Sequence, residues 1–298
     1  MKILITGANG LLGQKLVGLL LQKDNVDVIA TSRGKTRILG LKPELYHTLD
    51  VTSKTAVLNL FTTLQPDVVI HTAAMTQVDD CELNREDCKI ANIDAVRNVV
   101  AGCQAVNAHL VHLSTDFIFD GKEGPLPEEA IPNPVNFYGE SKLAAERIIM
   151  ESELSWAIAR TVLVYGVVPG LSRSNIILWV KANLDNKKTI KVVDDQWRTP
   201  TLAEDLAQGC WLIAEKKARG IFNISGKDML TPYDMAQLVA NHFKLDDQYI
   251  TRANASNFSQ PAKRPAKTGF VIDKAIKELD YQPHSFAQGI SIIAEQVK

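Results

Sequence analysis

The 298-residue sequence holds four cysteines, Cys81, Cys88, Cys103 and Cys210, with no Cys-x-x-Cys pair and no histidine at zinc-finger spacing. A disulfide framework and a structural metal are therefore not expected, and reduced, buried thiols are the ordinary reading. No stretch approaches the roughly 18 apolar residues that a membrane helix needs. Neither charge is in excess, since 33 Lys and Arg against 34 Asp and Glu leave a formal net charge of -1. Bulk electrostatics thus ask for neither nucleic acid nor an anionic membrane as partner, and any anion recognition has to be local. The chain starts Met1-Lys2 and enters a strand-like Ile3-Leu4-Ile5-Thr6 without a signal-peptide core, so a cytoplasmic location is expected. His-Glu-x-x-His and Gly-x-Ser-x-Gly are missing too, which sets aside zinc-hydrolase and serine-elbow chemistry. His71, His109 and His112 fall in or at the ends of strand-like runs and are read as satisfied core imidazoles.

What is present is a repeated alternation. Short β-branched runs at Lys2–Thr6, Val26–Thr31, Leu45–Leu49, Asp67–Thr72, His109–Ser114 and Trp156–Thr161 are separated by helical patterns at Leu11–Gln22, Thr55–Leu64, Arg85–Ala105 and Phe137–Ser152. Such alternation predicts βαβ units around a parallel sheet whose central strands are apolar on both faces. Regularity weakens after residue 165, where Val168-Pro169-Gly170-Leu171-Ser172 reads as a loop. Strands over Ile190–Val193 and Ile221–Ile224 and helices over Leu202–Glu215 and Pro232–Phe243 are predicted beyond it, Thr231 capping the last. The predicted fold is α/β, a Rossmann-type doubly wound parallel sheet with a smaller C-terminal substrate-binding region. Residues 1–165, with a return over about 190–225, are assigned to the dinucleotide-binding domain, and 166–189 with 226–298 to the substrate side.

Gly7-Ala8-Asn9-Gly10-Leu11-Leu12-Gly13 follows the first strand and opens the first helix. Glycines there permit a tight turn, close backbone approach to a pyrophosphate and close helix packing, while the helix N-terminus offers free N–H groups. The spacing is Gly-x-x-Gly-x-x-Gly rather than the usual Gly-x-Gly-x-x-Gly, and a purely structural turn remains the alternative. The second strand ends Thr31-Ser32-Arg33, without the carboxylate that takes a ribose 2′-hydroxyl in NAD-specific proteins. NADP(H) is therefore expected, NAD(H) being left open. Arg33 as a solvated loop cation is the alternative, with Lys35 and Arg37 close by. Asp50 and Val51 are placed to contact adenine, and Ala73 and Ala74 supply small side chains where a cofactor passes.

Tyr138 and Lys142 are spaced i, i+4 on a predicted helix, so both project from one face. An ammonium beside a phenol stabilises phenolate, which would lower the tyrosine toward operating pH for proton exchange at a carbonyl or alcohol oxygen. Alone, such a pair is an ordinary surface contact. Ser114-Thr115-Asp116 ends the preceding strand, where ligands of parallel sheets bind, and a hydroxyl there would polarise the reacting oxygen.

Together, Gly7-x-x-Gly10-x-x-Gly13, Ser114 to Gly121 and Pro134 to Glu146 resemble the extended short-chain dehydrogenase/reductases, and among them most closely the dTDP-4-dehydrorhamnose reductases. Asp195 to Thr201 and Pro261 to Pro265 resemble later motifs of that family, so the likeness covers nearly the whole chain. The resemblance implies that Tyr138 donates a proton, that Lys142 supports it and that Thr115 tunes the reacting oxygen. It also implies a nucleotide-sugar substrate near Thr76 and Asp116, reduced at a C4 keto group. Leu163 stands where family members place an aromatic residue against the sugar, and Arg198 where glycine is frequent. Arg264 is expected to meet the substrate diphosphate. Alternatives are an epimerase or dehydratase that recycles its cofactor, and a non-catalytic NADP-binding regulatory subunit similar to the beta subunit of methionine adenosyltransferase. A homodimer is left open.

Overall fold

Runs that are apolar on both faces become the interior of a parallel sheet. The computed structural model describes residues 1–170 and 175–297, so Leu171 and Ser172 of the expected loop lie outside the described residues. The chain begins β1 (Lys2–Thr6), α1 (Leu11–Leu20), β2 (Asp27–Ser32), β3 (Tyr46–Thr48), α2 (Lys54–Leu64) and β4 (Val68–His71). It continues α3 (Val78–Leu83), α4 (Arg85–Lys89), α5 (Ala95–Val106), β5 (His109–Thr115), α6 (Phe137–Met150), β6 (Trp156–Thr161) and β7 (Val164–Tyr165). The remainder supplies α7 (Ile176–Asp185), β8 (Ile190–Val193), β9 (Thr201–Leu202), α8 (Ala203–Lys216), β10 (Gly220–Asn223), α9 (Pro232–Phe243), β11 (Ile250–Ala253) and α10 (Phe286–Gln296).

Seven strands form one sheet in the order β10-β6-β5-β4-β1-β2-β3, and every pairing in it is parallel. This is the Rossmann-type doubly wound arrangement. Ile3, Ile5, Val68 and Ile70 point into the core shared with α1 and α8, while Leu4, Val69 and Leu110 point into the opposite core with Val57, Phe61 and Val99. Alternate side chains of a strand leave on opposite faces, so helices on both sides require the uninterrupted apolar runs seen in the sequence. Fully burying one such side chain contributes roughly 1.5–3 kcal/mol.

The predicted helix over Arg85–Ala105 forms, but it widens into a π-turn at Ile90–Asp94 between α4 and α5. The expected return to the large sheet differs more. Ile190–Val193 forms a strand, yet it pairs with β11 in a separate two-stranded sheet, and only α8 and β10 return to the large one. The reason lies in its pattern: Ile190 and Val192 are buried while Lys191 is exposed, so the run has one apolar face where a central parallel strand needs two. Its buried face joins a third core with Tyr165, Ile177, Met235, Val239 and Phe286. The sheet order reverses beside β1, and the crevice above β1, β4 and β5 lies where doubly wound sheets bind ligands.

Candidate active site

At the end of β1, Gly7 takes φ +70°, and a Cβ there would come within 2.8 Å of the Ala73 backbone nitrogen and of Thr72 Oγ1. A Cβ on Gly13 would meet the Gly7 carbonyl oxygen at 2.4 Å. The turn is therefore a backbone cradle that side chains would fill. Gly10 caps α1 without any side-chain hydrogen bond to the first turn, so the helix offers unclaimed N–H groups to an anion. These features fit a dinucleotide's pyrophosphate. Gly7, Gly10, Leu11, Leu12 and Gly13 line one end of a cleft of about 780 Å³.

Asn9 does not point into that space as an open hand. Its amide donates to the Lys35 carbonyl at 2.9 Å and accepts from the Arg37 N–H at 2.8 Å, clamping the loop after β2. In consequence Arg37, rather than Arg33, lines the cleft. Ser32 is half-buried and engaged through its carbonyl by Tyr46 and Leu49. Asp50 is exposed and accepts from Thr52, which holds its carboxyl below the usual range. Neither Asp50 nor Val51 is among the cleft-lining residues, whereas Ala73, Ala74 and Thr76 are.

The other end of the cleft gathers Ser114, Thr115, Asp116, Tyr138, Lys142 and Leu163. Asn136 caps α6 by accepting from the Gly139 N–H at 2.9 Å, and the helix turns Tyr138, Ser141, Lys142 and Glu146 inward. Burial pushes the Tyr138 phenol up, opposed by its hydrogen bond with Thr115 and reinforced by the nearby Asp116 carboxylate. Burial is the largest of these influences, and Lys142 is not among them. Lys142 is 3% exposed, and burial brings its ammonium down to about 8, with Glu146 working in the other direction. Its Nζ lies 3.2 Å from His112 Nε2. Leu163, at φ +36°, is 45% exposed, so the structure spends a strained backbone and an unburied apolar side chain at the cleft wall.

The remaining substrate-side residues are more deeply engaged than their sequence positions suggest. Arg198 is 5% exposed and donates to the carbonyls of Pro265, Ala266 and Trp197 at 2.7, 3.1 and 2.7 Å. Its guanidinium also lies 3.9 Å from Asp116, whose carboxyl burial pushes up and Arg198 pulls down. Thr268 donates to the same carboxylate. Arg198 is not among the cleft-lining residues. Arg264 grips Asp79 with both terminal nitrogens, at 2.6 and 2.7 Å.

Three contributors carried no usable sequence signal. Asn92, within the π-turn, accepts from the Met75 N–H at 2.8 Å and donates to Ser141 Oγ at 3.0 Å, tying the segment after β4 to α6. His71 and His112 stack with ring centroids 5.4 Å apart. Each of those imidazoles, and His109, keeps one buried nitrogen without a partner among the described residues, so they are not the fully satisfied core groups expected.

The fold and this site define a dinucleotide-binding α/β protein of the extended short-chain dehydrogenase/reductase type. The family model described as RmlD substrate binding domain matches residues 1–298, and the chain belongs to that family. It is 33% identical to methionine adenosyltransferase 2 subunit beta of Bos taurus over 84% of this chain and 74% of that protein. A crystal structure of a dTDP-4-dehydrorhamnose reductase from Clostridium acetobutylicum superposes with a TM-score of 0.87 at 29% identity, over 100% of this chain and 99% of that one. The same kind of reductase from Bacillus anthracis, solved in complex with NADP, superposes with a TM-score of 0.82 at 25% identity, over 99% of both chains. Among the described residues no helix is long and apolar enough to cross a membrane.

Proposed function

We propose that the chain is an NADP(H)-dependent oxidoreductase that reduces the C4 keto group of a nucleotide-linked 6-deoxy-4-hexulose, dTDP-4-dehydrorhamnose to dTDP-L-rhamnose. The observation that carries this reading is the meeting of Thr115, Tyr138 and Lys142 in a cleft whose other end is the glycine cradle. The NADP complex of the Bacillus anthracis reductase supports the cofactor choice.

The α1 N-terminus with Gly7, Gly10 and Gly13 would hold the pyrophosphate, Ser32, Arg33 and Arg37 the adenosine phosphate, and Ala73 and Ala74 the passing ribose. NADPH supplies a hydride to C4 when bound. Thr115 Oγ1 orients the carbonyl oxygen. Tyr138 then gives its phenolic proton to that oxygen, and a phenol pushed up by burial keeps the proton until charge develops there. The Lys142 ammonium stabilises the phenolate left behind. Thr76, Asp116 and Leu163 form the substrate side, Leu163 offering apolar surface to the sugar, while Arg198 and Arg264 support it from outside the cleft by holding Asp116 and Asp79. The decisive experiment follows NADPH oxidation with dTDP-4-keto-6-deoxyhexose generated in situ, comparing wild type with Tyr138→Phe. Turnover by the first and not the second is expected; no turnover by either removes the reading.

The identity with methionine adenosyltransferase 2 subunit beta supports a second reading, a non-catalytic NADP-binding subunit. Tight NADPH binding without turnover, together with copurification of a methionine adenosyltransferase catalytic subunit, would replace the first reading with it.

A further inference from the structure

Lys142 is more narrowly held than its exposure to the cleft suggests. The groups facing it are Glu146 one turn along α6, Cys88 on α4, Cys81 on α3, and the imidazoles of His112 on β5 and His71 on β4. Among the described residues, its one hydrogen-bond partner is His112 Nε2, at 3.2 Å. An ammonium has three donors and no acceptor, so in this contact Nε2 accepts and the His112 proton is assigned to Nδ1, which has no partner among the described residues. The ring is itself fixed. It is 1% exposed and stacks at 24° on His71, whose Nδ1 lies 2.7 Å from Thr6 Oγ1 at the end of β1. Three adjacent strands at the centre of the sheet thus lock the imidazole beneath the lysine.

We propose that His112 is a positioning residue for Lys142, its neutral imidazole accepting a hydrogen bond from the ammonium and holding that charge one helical turn from Tyr138. This rests on the reading of Lys142 as the support of Tyr138. A protonated His112 would set two cations side by side in a dry site, and burial, with Lys142 adding to it, holds His112 well below its ordinary value. Take the acceptor away, and the buried ammonium loses a bond made to its charged form. It then gives up its proton at lower pH, and turnover fails earlier on the alkaline side.

The test begins with the intact protein. In histidine labelled with nitrogen-15, the nuclear magnetic resonance signals of His112 are expected to report the Nδ1–H tautomer; the Nε2–H tautomer overturns the proposal without any variant. His112→Leu should lower both the alkaline midpoint of kcat and the titration midpoint of the Lys142 Nζ signal by about one pH unit. His112→Gln, which keeps an acceptor, should recover most of that shift. A packing role alone would lower stability in both variants and leave the midpoints in place, and that result also overturns the proposal. Lys142→Met separates the two claims. Full turnover in that variant removes the functional reading itself, whereas lost turnover with an unmoved His112→Leu midpoint removes only the role of His112. If the chain turns nothing over, the two resonance measurements still decide.

Discussion

On the side of the cleft built by β5 and α6, reactive groups ride on regular elements and are placed by spacing: Tyr138 and Lys142 are one turn apart, and Thr115 closes its strand. Behind the cleft, Arg198, Arg264 and Thr268 sit outside the long helices, and each is held by partners far along the chain. Arg198 reaches Pro265 across 67 positions, Arg264 reaches Asp79 across 185, and Thr268 reaches Asp116 across 152. The comparison predicts that the β5–α6 side, proposed to transfer the proton, loses a functional group with its fold intact, whereas around Arg198 a polar group is also a structural one.

The sharpest way to break that contrast is Tyr138→Phe. Turnover should fall by roughly 10²–10⁴-fold while the urea midpoint stays near that of wild type; a large loss of stability would show that this side, too, is structural. Arg198→Ala comes next. Removing the cation leaves Asp116, 2% exposed, without its counter-charge and frees the carbonyls of Pro265 and Ala266. A destabilisation of about 3 kcal/mol is expected, read by chemical denaturation. Unchanged stability with a raised KM for the sugar nucleotide would return Arg198 to the substrate.

The third test is pH. The proposed proton transfer needs Lys142 charged, and burial brings its ionisation down to about 8. Below that pH the ammonium is present, and above it kcat should fall, by about tenfold for each further unit. A profile flat well beyond that value would detach Lys142 from the chemistry. The smallest effect concerns the cofactor end. Arg37→Ala should weaken NADPH binding up to about tenfold, roughly 1.4 kcal/mol, with NADH less affected, and Arg33→Ala should weaken it less. The reverse order would mean that the Asn9 clamp does not choose which arginine faces the cleft.

Much of this molecule was legible before its structure. β1, β6, β8 and α9 have the limits read from the sequence, and Thr231 caps α9 in a reciprocal box with Asp234. The glycine cradle and the Tyr138–Lys142 pair were legible for the same reason, since both depend on neighbours within a few positions. Other features had no such signature. A lone asparagine in a helix does not announce a π-turn, and a strand-like run such as Ile190–Val193 does not name the sheet that will take it.

The sequence by itself determined the alternation of strands and helices, the glycine turn and the spacing of Tyr138 and Lys142, because these follow from backbone geometry over one or two turns of chain. Tertiary structure alone decided that His112 rather than Tyr138 is the hydrogen-bond partner of Lys142, that Arg37 faces the cleft and that Arg198 is buried. Those outcomes depend on which distant surfaces exclude water together, and burial sets the charge and the available partner of each group only after the whole chain has closed around it.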